Sequence, residues 1–312
     1  MDAHLDWTQD TTVPEQTRFV VWVRTAEAHW HARLLIESLR TFGGRLGRCP
    51  VWVLVPDDRP IDVAYEGMPD VQCQAVRVDG ELEGYALADK VCACARAEEL
   101  AGSEARSLVW LSPYALVLQP PLLLDLSPGF DAALPPVHIR NVGSLAAEPL
   151  DGHWRGVYAA AGLEEAAFTL ESFVDAQRLR PYFNTHVFSI DPSRRLLQEW
   201  RELFRVLVKD RGFQARYCPD ELHRIFLHQA VLSALLARRV PRERLRLLPV
   251  HYSYPLHLHS RVPAERRPDS LNALVCAVYE ETLRYPETLN GLIVHEPLKS
   301  WLAQGAEAQP TF

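Results

Sequence analysis

Lysine is almost missing from this 312-residue chain: of 33 basic residues, only Lys90, Lys209 and Lys299 are lysines and the rest are arginines. A GC-rich genome accounts for such a bias, but it makes each lysine worth following. Glycine-rich phosphate loops are missing too. No G-x-G-x-x-G follows the first strand-like run and no G-x-x-x-x-G-K-[ST] occurs, so neither a dinucleotide site nor a P-loop is expected. A G-x-S-x-G elbow is also lacking, which counts against an α/β-hydrolase. None of the six cysteines forms a C-x-x-C pair, and Cys92 and Cys94 are too close and isolated for a zinc knuckle. Scattered thiols in a long chain point to a reducing compartment. There is no basic excess. Forty acidic residues outnumber the basic ones for a net charge of −7, which argues against a nucleic-acid partner. No apolar run approaches the ~18 residues of a membrane span, and Met1 to Gln16 is polar and acidic without the apolar core of a signal peptide. A cytoplasmic protein is expected.

What is present is an ordinary globular composition, 48% hydrophobic and 23% charged, in a chain long enough to bury a core unaided. Short apolar runs rich in β-branched residues predict strands at Arg18–Val23, Val51–Val55, Val71–Val78, Leu108–Leu111, Val187–Ile190 and Leu245–Leu248. Helical spacing marks Glu27–Arg40, stopped by Gly43-Gly44, then Asp89–Ala101, Asp151–Ala161, Pro192–Lys209 and Pro219–Arg238. Strands alternating with helices predict an α/β fold, a mostly parallel twisted sheet flanked by helices. No repeat, low-complexity tract or dividing linker appears. A single domain over 1–312 is expected, with residues 1–17 a polar extension and 263–312 a C-terminal elaboration.

Open parallel sheets bind ligands beyond the carboxyl ends of their strands. Two such ends carry polar groups here: Arg24-Thr25 after the first strand and Ser112-Pro113-Tyr114 after the fourth. The segment from Pro136 to Trp154 is dense in donors, including His138, Arg140, Asn141, Ser144, His153 and Trp154. Asp175, Asp191 and Asp220 are mid-chain acids available as a base, although Asp191 before Pro192 reads as a helix cap. His251, His257 and His259 share one segment. If Leu256–His259 is extended, His257 and His259 point the same way and could hold zinc or iron with a third ligand. His29 and His31, beside Trp30, read as surface residues.

Six stretches then follow one another in a telling order. They are LLIESLRTFGG (Leu34 to Gly44), VWLSPYALVLQPPLLLDL (Val109 to Leu126) and YFNTHVFSIDPSRRLLQEW (Tyr182 to Trp200). After them come IFLHQAVLSALL (Ile225 to Leu236), LPVHYSYPLH (Leu248 to His257) and IVHEPLKSW (Ile293 to Trp301). Together they resemble the nucleotide-diphospho-sugar transferases, glycosyltransferases of the A fold, nearest the glycogenin-like retaining branch. The resemblance implies a nucleotide-sugar donor site, an acceptor site and a metal held by an Asp-x-Asp motif.

This chain departs from that pattern where the metal belongs. Ser112, Pro113 and Tyr114 stand in place of Asp-x-Asp, and a hydroxyl and a phenol do not replace two carboxylates around Mn²⁺ or Mg²⁺. His228, before Gln229, stands where the family has Asp in an Asp-Gln pair. His186 stands where it has Gly, after Asn184 and Thr185. His295 and Lys299 are closer together than the family's closing His and Lys. The resemblance therefore implies Asn184, His186, His228 and Gln229 as catalytic candidates. Arg24, Thr25, Lys90, Ser112, Tyr114, His295 and Lys299 are the donor-binding candidates, and Arg140, Asn141, Trp154 and His257 form a sugar or acceptor wall. Three readings follow: transfer with cationic side chains in place of the metal, a fold kept for binding a nucleotide, sugar or protein without catalysis, or a separate metalloenzyme on His251, His257 and His259. No cofactor is expected under the first two.

Overall fold

The computed structural model describes residues 16–58, 65–126, 128–279 and 292–307; most of the polar extension lies outside them. The chain opens with β1 (Thr17–Trp22), α1 (Ala26–Phe42), β2 (Val51–Pro56), β3 (Val71–Val76), α2 (Ala88–Ala101), β4 (Ser107–Leu111), β5 (Ala115–Val117) and β6 (Ala132–Leu134). It continues through α3 (Gly152–Ala161), β7 (Leu170–Glu171), β8 (Arg178–Leu179), β9 (Val187–Ile190), α4 (Leu196–Lys209), α5 (Arg211–Tyr217) and α6 (Glu221–Arg239). Last come β10 (Leu245–Leu247), β11 (Tyr254–Pro255), β12 (Cys276–Val278) and α7 (Leu298–Glu307).

Seven strands form the main sheet in the order β10-β6-β9-β4-β1-β2-β3. All the pairings are parallel except those of β9, which runs against both β4 and β6. The apolar strands are buried on both faces, as a parallel sheet under helices requires. Alternation along β1 divides the core. Phe19, Val21 and Val23 pack with Ala32, Leu35 and Leu39 of α1 on one face. Val20 and Trp22 turn to the other face, where α2, α3, α4 and α6 pack together with Trp110, Phe188 and Trp200. A small sheet, β11-β12-β5, lies against α1 and carries the third apolar cluster, which includes Leu34, Tyr254, Tyr279 and Leu298.

Local chemistry sets the helix ends. The Thr25 hydroxyl accepts the Ala28 N–H and starts α1. Gly43 ends it where a Cβ would lie 2.4 Å from the Leu39 carbonyl oxygen, and Asp151 and Asp220 cap α3 and α6. The helix expected from Pro192 begins later. Asp191 caps a 3₁₀ turn over Pro192–Arg194, Arg195 takes a left-handed conformation, and α4 starts at Leu196 with no cap of its own. The Glu98 carboxylate of α2 fills that place, accepting the N–H groups of Leu197 (3.0 Å) and Gln198 (2.8 Å). Burial raises Glu98 to about 7 against the opposing pull of these N–H donors.

Candidate functional site

Because β9 is antiparallel, its start meets the end of β4: Val187 pairs with Leu111, and the Ser112 N–H donates to the His186 carbonyl oxygen at 2.7 Å. Thus Asn184-Thr185-His186, Ser112-Pro113-Tyr114 and the Arg24 that follows β1 gather at the carboxyl-terminal edge of the parallel strands, where the start of α2 also arrives.

Lys90 reaches into this junction. Its Nζ donates to the carbonyl oxygen and to Oγ1 of Thr185, both at 2.8 Å, and lies 5.9 Å from the centre of the Trp110 ring. Thr185 Oγ1 is also 3.1 Å from His228 Nε2, while His228 Nδ1 is 2.6 Å from the Ile225 carbonyl oxygen. A carbonyl only accepts, so Nδ1 carries the proton and Nε2 is the acceptor. The Thr185 hydroxyl therefore donates to His228 and accepts from Lys90. Gln229 Oε1 is 3.5 Å from the same hydroxyl.

A second chain of bonds fixes Asn184. His138 Nε2 lies 2.5 Å from the Ser253 carbonyl and must donate, which leaves Nδ1 to accept from Asn184 Nδ2 at 3.4 Å. Asn184 Oδ1 accepts the His186 N–H at 2.8 Å and the Ser253 hydroxyl at 3.4 Å. The His138 ring stacks 6.1 Å from His186 and meets His257 edge-on at 6.4 Å. Burial holds Lys90, His138, His186 and His228 toward neutrality. Lys90 is pushed down to about 8, against the pull of Cys94 and Asp89. His138 falls to about 3, and His186 and His228 lie well below the usual imidazole range, with Lys90 adding to the effect on both.

Beside this cluster, a cleft of about 300 Å³ runs above β1, β2 and β3, lined in part by Trp22, Arg24, Asp57, Arg77, Tyr85 and Asp89. Asp89 Oδ2 accepts from Trp22 Nε1 (3.2 Å) and from the exposed Arg24 (3.3 Å). Asp89 lines the cleft, and the next residue, Lys90, bonds into the cluster.

Several expected site residues have other work. Thr25 is the α1 cap. Trp154 is fully buried against Tyr158 and Tyr182 and donates from Nε1 to the Val142 carbonyl, so it is core and no wall. Arg140 bonds Asp175 and the Gly143 carbonyl, and Asn141 is held at φ +45° in the same loop. His31 is buried, not superficial: its Nδ1 meets Tyr279 Oη at 2.8 Å, with the Tyr114 ring 4.8 Å away. Asp191 and Asp220 are caps, and Asp175 is tied to Ser172 and Arg140.

The proposed metal triad does not form. Leu256–Arg261 is a 3₁₀ helix rather than an extended strand, which turns His257 and His259 to different sides. His259 bonds the Tyr254 hydroxyl at 2.8 Å, and His251 is exposed. Among the described residues, no three His, Cys, Asp or Glu side chains group as a metal site. The turn after β4 fits no divalent cation either. The Ser112 hydroxyl faces the Tyr114 N–H, and the Tyr114 ring packs between His31 and Tyr279.

His295 and Lys299 lie apart from the cluster. Asn272 brackets the backbone of His295, and α7 packs Trp301 against Phe42 at 5.5 Å. Phe42 ends α1, about 25 Å along the helix from Thr25 at 1.5 Å per residue. Lys299 is exposed.

No family model matches the sequence, and no curated protein matches it either. Solved structures do match. The galactosyltransferase LgtC, in complex with donor and acceptor sugar analogues, superposes with a TM-score of 0.52 at 12% identity over 95% of this chain and 97% of that one. An active-site Gln-to-Glu mutant of LgtC gives 0.52 at 12% identity over 91% of this chain and 99% of that chain. The fold is that of LgtC. This α/β architecture of the glycosyltransferase A type is the one the sequence resemblance implied.

The cluster gives Thr185 and His138, noted in the sequence without these roles, the parts of hydrogen-bonding hub and of the imidazole that orients Asn184, and it adds Ser253 as a hub and Trp22 and Asp89 as neighbours that line the cleft. The one available signal was Asp89-Lys90 at the start of a helix, a carboxylate and a rare lysine side by side.

Proposed function

We propose that this protein transfers a sugar from a nucleotide-diphosphate donor to an acceptor, with cationic and neutral polar side chains where related enzymes use an Asp-x-Asp metal site. One observation carries the reading: Lys90, next in sequence to Asp89 of the cleft, is hydrogen-bonded to Thr185 within the cluster of Asn184, His186 and His228. In this reading the cleft takes the nucleoside and the diphosphate lies against Lys90. The sugar points toward Asn184, His186 and His257. Lys90 would stabilise charge developing on the leaving diphosphate, an electrostatic role that a fixed ammonium in a water-poor site serves well. Asn184, locked by His138 and Ser253, would present its neighbours without reorganisation. The LgtC variant whose active site has Gln changed to Glu supports attention to Gln229, the glutamine of this cluster. The six cysteines, none of them in a disulfide, support a reducing, cytoplasmic location; among the described residues no helix is long and apolar enough to cross a membrane.

A second reading, a non-catalytic binder, is favoured by Asp89, the carboxylate beside the polar cluster, being already engaged by Trp22 and Arg24. A thermal-shift screen of UDP, GDP, CMP and their sugars, each with Mn²⁺ and with EDTA, tests the donor site. A ligand at 100 times its Kd stabilises the fold by about 2.7 kcal/mol. A specific shift that persists in EDTA is expected. Hydrolysis or transfer of the stabilising sugar nucleotide then separates the enzyme from the binder. Silence across the panel overturns the donor site and favours a fold that has kept its shape and lost its donor.

A further inference from the structure

Several arginines of this chain are spent on the fold. Arg40 donates to the carbonyls of Gly47, Cys49 and Pro69, and Arg246 to those of Leu123 and Asp125. Around the start of α4, others are not. A surface cavity of about 560 Å³ is lined there by Ser193, Arg194, Leu196, Arg238, Arg239 and Val240, with no carboxylate among them. A second cavity, of about 510 Å³, shares Arg194 and Arg239 with the first and adds Arg195, Glu199 and Glu202. The two make one groove between the first turn of α4 and the last turn of α6.

The guanidinium groups of this groove have donors to spare. Arg238 and Arg239 both turn to one carboxylate, Glu199, at 3.7 and 3.4 Å, and among the described residues neither donates a hydrogen bond within the protein. Arg194 shares the buried Asp131 with Arg244, and 45% of its own side chain stays exposed. Arg195 bonds the Gln198 amide oxygen at 3.0 Å. Glu202 is taken by Arg201 and Arg205. Four arginines therefore face Glu199 and a share in Asp131, and at least two positive charges stand uncompensated around one hollow. Attraction to the carboxyl end of α6 accounts for Arg238 and Arg239. It leaves Arg194 and Arg195, which come from the turn ahead of α4, without a reason to converge on them.

Planar arginine forks suit an oxyanion that several of them can grip at once. A carboxylate has one charge and two oxygens, which a single arginine satisfies. A phosphate brings up to two charges and at least three acceptor oxygens, which match the uncompensated charge and guanidinium groups from two elements. No aromatic ring lines either cavity, so nothing there grips a nucleobase. We propose that this groove is a second binding site, for a phosphate dianion, at the edge of the sheet opposite the candidate active site. Asn184 precedes β9 and Arg194 follows it, so the strand separates the two places. Nothing at this site depends on the donor reading. The phosphate is free or is carried as a monoester by a small molecule, since both present the same oxygens.

Isothermal titration with inorganic phosphate and with glucose 6-phosphate, against sodium chloride at matched ionic strength, reads the site. One saturable event that chloride does not reproduce is expected, and the tighter of the two ligands shows whether the phosphate is taken free or esterified. Arg238→Gln/Arg239→Gln should weaken binding about tenfold or more. Arg205→Gln/Lys209→Gln removes the same charge from α4 outside the groove and should leave affinity within about twofold. Glu199→Gln frees both guanidinium groups from their carboxylate and should tighten binding. Unchanged affinity in Glu199→Gln overturns the site even where the arginine variant fails to fold. Absence of saturable binding at millimolar phosphate overturns it, as does equal loss in the two double variants, which would show unspecific attraction to charge. Loss in Lys90→Met, with the Arg238/Arg239 variant unaffected, would move the anion to the opposite edge and overturn the groove.

Discussion

At the amino-terminal edge of the parallel strands, three aspartates each meet an arginine. Asp131, just before β6, is held by Arg194 (2.8 Å) and by a two-pronged contact from Arg244. Asp191, just after β9, takes Arg106, and Asp125 takes Arg45 along with the hydroxyls of Thr17 and Ser107. The carboxyl-terminal edge of the same sheet is built in the opposite way. There a buried lysine and several imidazoles share hydroxyls, amides and carbonyls, and their charge is suppressed by burial. Where charge only has to hold strands together, it comes in neutralising pairs. Where charge is held back at a strand edge near a cleft, the perturbed groups mark a candidate binding site.

Removing charge at each edge should therefore hurt different properties. The double change Arg194→Ala/Arg244→Ala strands a buried carboxylate and should cost about 3–5 kcal/mol in urea unfolding, with nucleotide affinity unchanged. Lys90→Met should do the reverse. Loss of charged hydrogen bonds worth about 1.5–3 kcal/mol weakens nucleoside-diphosphate binding by roughly tenfold to a hundredfold, while the melting temperature stays level or rises. An unaltered affinity in Lys90→Met would erase the distinction between the edges.

The edges also titrate in opposite senses. Burial raises Asp131, but Arg244 and Arg194 outweigh it and hold the carboxyl below its ordinary value. Its stabilising share is present above the ordinary carboxylate range and is lost as pH falls through the depressed value. Lys90 is depressed in the folded state, so the unfolded chain binds protons more tightly between about 8 and 10.5. The ligand-free protein should gain stability across that window, by about 3 kcal/mol at most, and Lys90→Met should lack the gain. Urea midpoints from pH 3 to pH 10 measure both. Smaller effects sharpen the picture. Arg24→Ala breaks an exposed ion pair and should change stability by less than about 1 kcal/mol. Lys299→Ala should shift nucleotide affinity by less than about twofold, because α7 packs at the far end of α1. A tenfold loss there would mean that α7 takes another position when ligand is bound.

The long strands were legible because continuous apolar runs such as VWVLV leave little alternative to a buried parallel strand. Three-residue strands such as β5, β6 and β12 carry too few residues to show a period, and they went unforeseen. At the site, Asn184, His186, His228, Gln229, Lys90 and Ser112 do gather, an arrangement to which the resemblance pointed through the order of its stretches. Trp154 misled because donor density in a segment says nothing about which way a helix turns its side chains. The Asp151 cap sets α3 so that the indole faces inward. His257 and His259 misled because a strand sets residues two apart on the same side, whereas the 3₁₀ turn found here turns them to different sides. The burial of Lys90 could not be read from α2, whose Ala and Cys residues are small all round and mark no face.

Glu98 links two helices whose sequences are about a hundred residues apart. The first turn of α4 has free N–H groups until α2 is docked beneath it, so an isolated α4 segment should fray at its start. The polypeptide must pass through β4, the loops around α3 and all of β9 before that carboxylate can be answered. In a chain emerging from synthesis, α4 is thus a late-ripening element, and its firmness reports that the half of the sheet made before it is already in place.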